Sequence, residues 1–353
     1  ASFPSVLTLG LACQSAQGNW AGVTLTVSHE DVYSLAGTDS SHIALREGEE
    51  VPLQDALYGT MIASANDGAN LLAEYFGGGT IEGGVAAMLT ASGQAASFYA
   101  VFNICEAGDH FISSNTIYGG TYNLFGVTMK KMGITCTFVD PDATDEEIEA
   151  AFRPNTKCFF GETISNPGGH VFDIERFARM AHQHGVPLIV DNTFATPIHC
   201  RPFEWGADIV THSTTKYMDG HACAVGGCIV DSGRFDWMAH ADKFPGLCAP
   251  DESYHGLAYA KAFGPKAYIT KATAQLMRDL GSIPGPQNSF LLNLGLETLH
   301  LRMPRHCENA QKVAEFLHDD PRVAWVRYSG LADDPDHALA EKYLPNGSCG
   351  VMC

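Results

Sequence analysis

The sequence holds 353 residues, 45% of them apolar and 17% charged, enough chain for about two domains and too apolar for wholesale disorder. Its formal charge of −19, from 21 basic and 40 acidic side chains, argues against a nucleic-acid partner, because a phosphate backbone would be repelled. No apolar run reaches the ~20 residues of a membrane span, and the 11 cysteines are scattered and never spaced Cys-x-x-Cys, which fits reduced thiols in a cytoplasmic protein rather than disulfides or a metal site.

In chain order, the first 79 residues differ in character from the rest. They contain no lysine, and Gly77-Gly78-Gly79 marks a junction. The apolar run Val6–Cys13 has no Lys or Arg before it, the first being Arg46, so no targeting segment is expected there. From Val85 onward, short apolar runs alternate with helical stretches. Strands are expected at Ala86–Thr90, His110–Ser113, Ile134–Val139, Lys157–Gly161, Pro187–Val190, Asp208–Thr211 and Val225–Val230. Helices are expected at Gln94–Ile104, Gly119–Met132, Asp145–Phe152 and Asp173–His184. This alternation predicts an α/β fold with a mostly parallel sheet covered on both faces, and ligands at the C-terminal ends of its strands. Beyond Asp231 a Gly/Pro-rich insertion leads into long helical stretches at Gly256–Leu280 and Gln287–Leu317, the second interrupted by Pro304. Ala324–Tyr328 then reads as a strand of a second domain that breaks off at Cys353. The expected domains are residues 1–79, 80–285 and 286–353, the last truncated.

The stretches richest in chemistry are Leu188–Pro197 and Gly206–Tyr217. An apolar strand ending in Asp191 puts a carboxylate at the mouth of the sheet, and a second strand ends in hydroxyls and Lys216. A pyridoxal-phosphate site needs such a pair: a lysine for covalent attachment, and a carboxylate that keeps the pyridine nitrogen protonated. Ser213 and Thr215 can hold a phosphate. Taken singly, Asp191 reads as a turn residue and Lys216 as solvated surface; their order and spacing favour the site. Upstream, Ser92-Gly93-Gln94 joins a strand to a helix whose free amides suit an anion. Tyr118, opening a helix, can stack on a ring or pack at a domain edge.

From Ile81 to Val351 the chain resembles the Cys/Met-metabolism family of pyridoxal-phosphate enzymes, and within it most closely the O-acetylhomoserine sulfhydrylase branch. The resemblance is carried by the lysine segment, by the insertion Lys243–Leu247 with Pro250–Gly256, and by Gln275–Ser282 and Leu296–Asn309. It implies an aspartate-aminotransferase-like fold. It also implies Lys216 as the cofactor-bound lysine and proton shuttle, Asp191 as partner of the pyridine nitrogen and Tyr118 as the tyrosine stacked on the ring. Asn166 would lie near the phenolic oxygen, and Ser92, Gly93, Gln94, Ser213 and Thr215 would form the phosphate cup. The implied reaction joins O-acetylhomoserine and sulfide to give homocysteine and acetate, with a cystathionine synthase or methionine lyase as alternatives in the same family.

The resemblance has gaps. The family's Tyr-x-Arg pair, which reaches a neighbouring subunit's phosphate, does not occur before Gly84. Its arginine for the substrate carboxylate would lie past Cys353, leaving Arg278 and Arg302 as candidate substitutes. Activity and homo-oligomerisation are therefore expected to be weakened. Residues 1–79 resemble instead the serine D-alanyl-D-alanine carboxypeptidases, another class of function. Ser64-Ala65-Asn66 would be the Ser-x-Asn motif and Ser2 the nucleophile, with Ser5 where the activating lysine should stand. The expectation is a chimeric chain whose peptidase part is inactive.

Overall fold

The computed structural model describes residues 24–26, 50–52 and 82–353. The chain divides into two compact units, Ala1–Gly83 and Gly84–Cys353. Within the first, β1 (Thr24–Thr26) and β2 (Glu50–Pro52) pair antiparallel, with Leu25 opposite Val51. Ser2, Ser5, Ser64–Asn66 and Gly77–Gly79, on which the peptidase resemblance and the junction rest, lie outside the described residues.

The second unit is built on a seven-stranded sheet. Its strands are β3 (Ala86–Thr90), β4 (His110–Ser114), β5 (Thr135–Val139), β6 (Thr156–Glu162), β7 (Leu188–Asp191), β8 (Ile209–His212) and β9 (Gly227–Asp231). They lie in the order β3-β9-β8-β7-β6-β4-β5. All point one way except β9, which runs antiparallel to both β3 and β8. Each expected strand in this region is present, with ends displaced by a residue or two. The sheet is mostly parallel, as the strand-helix alternation predicts.

The chain leaves β3 at one edge and enters β4 near the other, then fills the sheet back toward β3 with β6, β7 and β8. That jump opens a crevice at the C-terminal ends of the strands, where ligands bind in such sheets. The interior strands read as continuous apolar runs because both faces are covered; β4 and β6 are buried along their whole lengths. Phe125 meets both Phe111 and Phe160 edge-on at 4.9 Å, and all three are fully buried. Burial of each such side chain contributes roughly 2 kcal/mol.

Helix α1 (Gly93–Phe102) follows β3 directly, and Ser92 caps it by accepting from Ala95 N at 3.1 Å. The stretch expected as one helix over Gly119–Met132 changes winding instead. It is α-helical as α2 (Gly119–Asn123), then a π turn over Leu124–Thr128, then a 3-10 turn ending on Gly133 at φ 79°. Helix α3 (Asp145–Glu149) opens with a Thr144/Glu147 capping box. Helix α4 (Ile174–Gln183) buries Ile174, Phe177, Ala178, Met180 and Ala181, one face at helical spacing.

Past β9 three expectations need correction. The Gly256–Leu280 stretch is a series of short helical pieces, one of them starting at Gly264-Pro265. A proline there removes a donor and breaks the ladder. The next stretch splits at Thr298 rather than at Pro304, giving α5 (Pro286–Glu297) and α6 (Leu299–His318). Pro304 sits inside α6 on its exposed side, where water can take the carbonyl that lacks a donor. Ala324–Tyr328 is not a strand. Arg327 exchanges two backbone bonds with Cys353, at 2.7 and 3.0 Å, and one such pair does not make a ladder. A last helix, α7, spans His337–Tyr343. Among the described residues no helix is long and apolar enough to cross a membrane, and no group of three His, Cys, Asp or Glu is placed to hold a metal ion.

Candidate active site

The C-terminal ends of β3, β4, β6, β7 and β8 carry or lead into every site residue expected from the sequence. Gly93 opens α1 beside Ser213, which follows β8. A Cβ added at Gly93 would stand 2.5 Å from Ser213 Cβ and 2.8 Å from its Cα. Only glycine lets the helix start and the strand end approach so closely. The first intrahelical bond runs from Ala96 N to Ser92 O, so the amides of Gly93 and Gln94 have no acceptor within the helix. Together with Ser213 Oγ they form a cradle of donors at the positive end of the α1 dipole.

The Gln94 side chain accepts from Thr121 Oγ1 at 2.9 Å, tying α1 to the helix that Tyr118 opens. Tyr118 is 48% exposed, a large aromatic residue left partly uncovered where α2 begins. Thr215 departs from the expectation in one respect. Its hydroxyl donates to Gly226 O at 3.1 Å and accepts from Gly226 N at 3.2 Å, so it braces the start of β9.

Asp191 ends β7. Its Oδ1 accepts from both Thr193 N, at 3.0 Å, and Thr193 Oγ1, at 2.5 Å, and Thr193 Oγ1 in turn accepts from Ser213 N at 2.8 Å. Enclosure of the carboxyl pushes its pKa upward, against the pull of the Thr193 bonds. Lys216 is exposed, one turn beyond Ser213, to whose carbonyl its amide donates at 3.3 Å.

Two side chains in this network were not singled out from the sequence. Thr193 links Asp191 to Ser213. Glu162 ends β6 directly opposite Asp191 on β7. Its Oε1 accepts from Tyr118 N at 2.7 Å and its Oε2 from Asn166 N at 3.2 Å. Only 8% exposed, its carboxyl is driven well above the usual range by burial and by the Asp191 charge, while the two amides pull it back. Its sequence signal was the one that marked Asp191, an acid closing an apolar strand.

Residues 78–353 match the family model for Cys/Met metabolism PLP-dependent enzymes. The chain belongs to that family. It is 48% identical over 273 residues to a homocysteine/cysteine synthase of Kluyveromyces lactis, an alignment covering 77% of this chain and 61% of the relative. It is 45% identical over 266 residues to an O-acetyl-L-homoserine sulfhydrylase of Corynebacterium glutamicum, covering 74% and 61%. Among solved structures, a putative O-acetylhomoserine (thiol)-lyase of Campylobacter jejuni superposes with a TM-score of 0.74 at 39% identity, covering 77% of this chain and 66% of that one. That structure carries N'-pyridoxyl-lysine-5'-monophosphate. The chain spans about three fifths of the length of these two curated relatives.

The residues present fit the family's cofactor. The glycine-opened cradle at α1 suits a phosphate, the enclosed carboxyl of Asp191 suits a cationic ring nitrogen, and Lys216 is a primary amine at the same mouth. The two candidate substitutes for a substrate-binding arginine are otherwise engaged. Arg302 donates to the carbonyls of Tyr217, at 2.7 Å, and Gly295, at 2.7 Å, and to Thr298 Oγ1 at 2.9 Å. Arg278 pairs with Asp279 at 2.7 Å.

Proposed function

We propose that this chain carries the cofactor-binding part of an enzyme that replaces the acetate of O-acetylhomoserine with sulfide, giving homocysteine. The observation that supports it is the convergence of Lys216, Asp191, Ser213, Gly93, Tyr118 and Asn166, from separate stretches of sequence, on one end of one sheet. Relatives bearing the sulfhydrylase and homocysteine synthase names add weight. We read residues 80–285 as the cofactor domain and 286–353 as part of a second. A small apolar cluster apart from the main core, around Ala314 and Tyr328, favours that division.

In this reading the cofactor supplies an electron sink for the charge left on the substrate's α carbon. The remaining work falls to side chains. The amides of Gly93 and Gln94 and the Ser213 hydroxyl would hold the phosphate and so fix the position of the ring. Asp191, held by Thr193, would keep a positive charge on the ring nitrogen. Tyr118 would stack on the ring, and Asn166 would lie near its phenolic oxygen. Lys216 Nζ would take up the α proton and then a β proton, so that acetate could leave the γ carbon, and would return both protons once sulfide had added there.

The test is a visible absorption spectrum of the purified protein with pyridoxal phosphate, beside Lys216→Ala. A yellow band present in the wild type and lost in the variant is the expected result. No band in either protein would overturn the assignment. Product analysis with sulfide, and with cysteine in its place, then separates the sulfhydrylase from a cystathionine synthase.

A further inference from the structure

Glu162 is a buried acid whose two oxygens point in different directions along the chain. It ends β6, and one oxygen holds the loop that follows β4 while the other holds the loop that follows β6 itself. Each of those loops delivers a residue to the proposed cofactor site, Tyr118 in one case and Asn166 in the other. A carboxylate so enclosed is costly unless its lone pairs are met, and backbone amides meet both oxygens. Across the strand pair stands Asp191. Placing two acids side by side inside a protein disfavours ionising both. The bland alternative is a loop anchor that would serve any fold of this shape. What separates the two is that both anchored amides belong to residues expected to flank the ring.

We propose that Glu162 is a positioning residue of the cofactor site, clamping the Tyr118 and Asn166 loops together through one carboxylate so that the tyrosine ring and the asparagine reach the cofactor in fixed register. The inference rests on the pyridoxal-phosphate reading above. Glu162 touches no reacting atom in this role. It acts through the main chain of its two partners. Glutamine in its place keeps the size but turns an N–H toward one of the two amides, so one of the two contacts is lost.

The experiment is a titration of the full chain with pyridoxal phosphate, followed by visible absorption, for the wild type, Glu162→Gln, Tyr118→Ala and the double variant, with a thermal midpoint for each. Glu162→Gln is expected to fold and to raise the dissociation constant about tenfold. In the Tyr118→Ala background the same change should have much less effect, because the ring it positions is gone. A loop anchor of purely structural character would lower the midpoint without that non-additivity. Unchanged affinity in Glu162→Gln, or full additivity with Tyr118→Ala, overturns the proposal. Should Glu162→Gln not fold, Glu162→Asp keeps the carboxyl group, withdraws it by one methylene and is read by the same two criteria. Absence of cofactor binding in the wild type would remove the underlying reading and this inference together, whereas a binding wild type with an indifferent Glu162→Gln removes this inference alone.

Discussion

At the scale of single residues, the site depends on close approach as much as on charge. Gly93 is the clearest case, since any side chain there meets Ser213 at the backbone as well as at Cβ. Gly93→Ala should therefore push α1 away from β8 and spoil the donor cradle. We expect a loss of about 1–3 kcal/mol in stability, as for other overpacked sites, and at least a tenfold weaker hold on pyridoxal phosphate in the same absorption titration. Wild-type affinity in a folded Gly93→Ala would show that the cradle is not where the phosphate sits. The strand-end acids behave differently. Asp191 was legible because an apolar run stops on it and Lys216 follows at a telling distance. Glu162 offered the same local signal, but nothing in sequence shows that its oxygens reach two loops.

At the scale of elements, strands were easier to read than helices. β6 and β7 announce themselves as apolar runs because both faces of a parallel sheet are covered. Helical winding responds to neighbours, so the Gly119–Met132 run changes pitch partway, and Ala324–Tyr328, apolar enough for a strand, lacks a ladder to join. One element contact makes a testable claim about pH. His110, fully buried on β4, bonds Thr156 Oγ1 on β6 and Thr137 Oγ1 on β5, each at 2.8 Å, and so joins three strands. Burial, aided by the Arg153 charge, lowers its pKa from 6.5 to about 4. In the folded protein the ring thus stays neutral over a range in which the unfolded chain is protonated. Between those two values the unfolded state binds more protons, so stability rises with pH. The contribution is complete above pH ~6.5 and is lost as pH falls toward ~4, at most roughly 3 kcal/mol. Urea unfolding across that interval should show a midpoint that falls with acidity, and the fall should be shallower in His110→Gln. Identical slopes in the two proteins would exclude His110 as the source.

At the scale of the whole molecule, the two units call for different readings. The Gly84–Cys353 unit belongs to a known family, and its sheet order explains why residues far apart in sequence share one crevice. The peptidase-like reading of residues 1–79 stands on sequence motifs alone and remains our proposal, including the idea that the chain joins two ancestries. In that proposal Ser5 takes the place of the activating lysine, so Ser2 is expected not to react, and incubation with a fluorescent penicillin should leave the protein unlabelled. Labelling lost in Ser2→Ala would contradict that expectation.

The sequence by itself determined the period of the elements, the family, and the identity of the groups that bear chemistry, because apolar alternation and strand-end motifs are local properties of the chain. Tertiary structure alone decided which strands are neighbours, that β9 inserts against the direction of the rest, that Thr215 braces Gly226, and that Arg302 is spent on main-chain carbonyls. It also decided that one buried acid, Glu162, joins two loops. Those are outcomes of packing and of satisfying buried polar groups, and they depend on distances that exist only once the chain has folded.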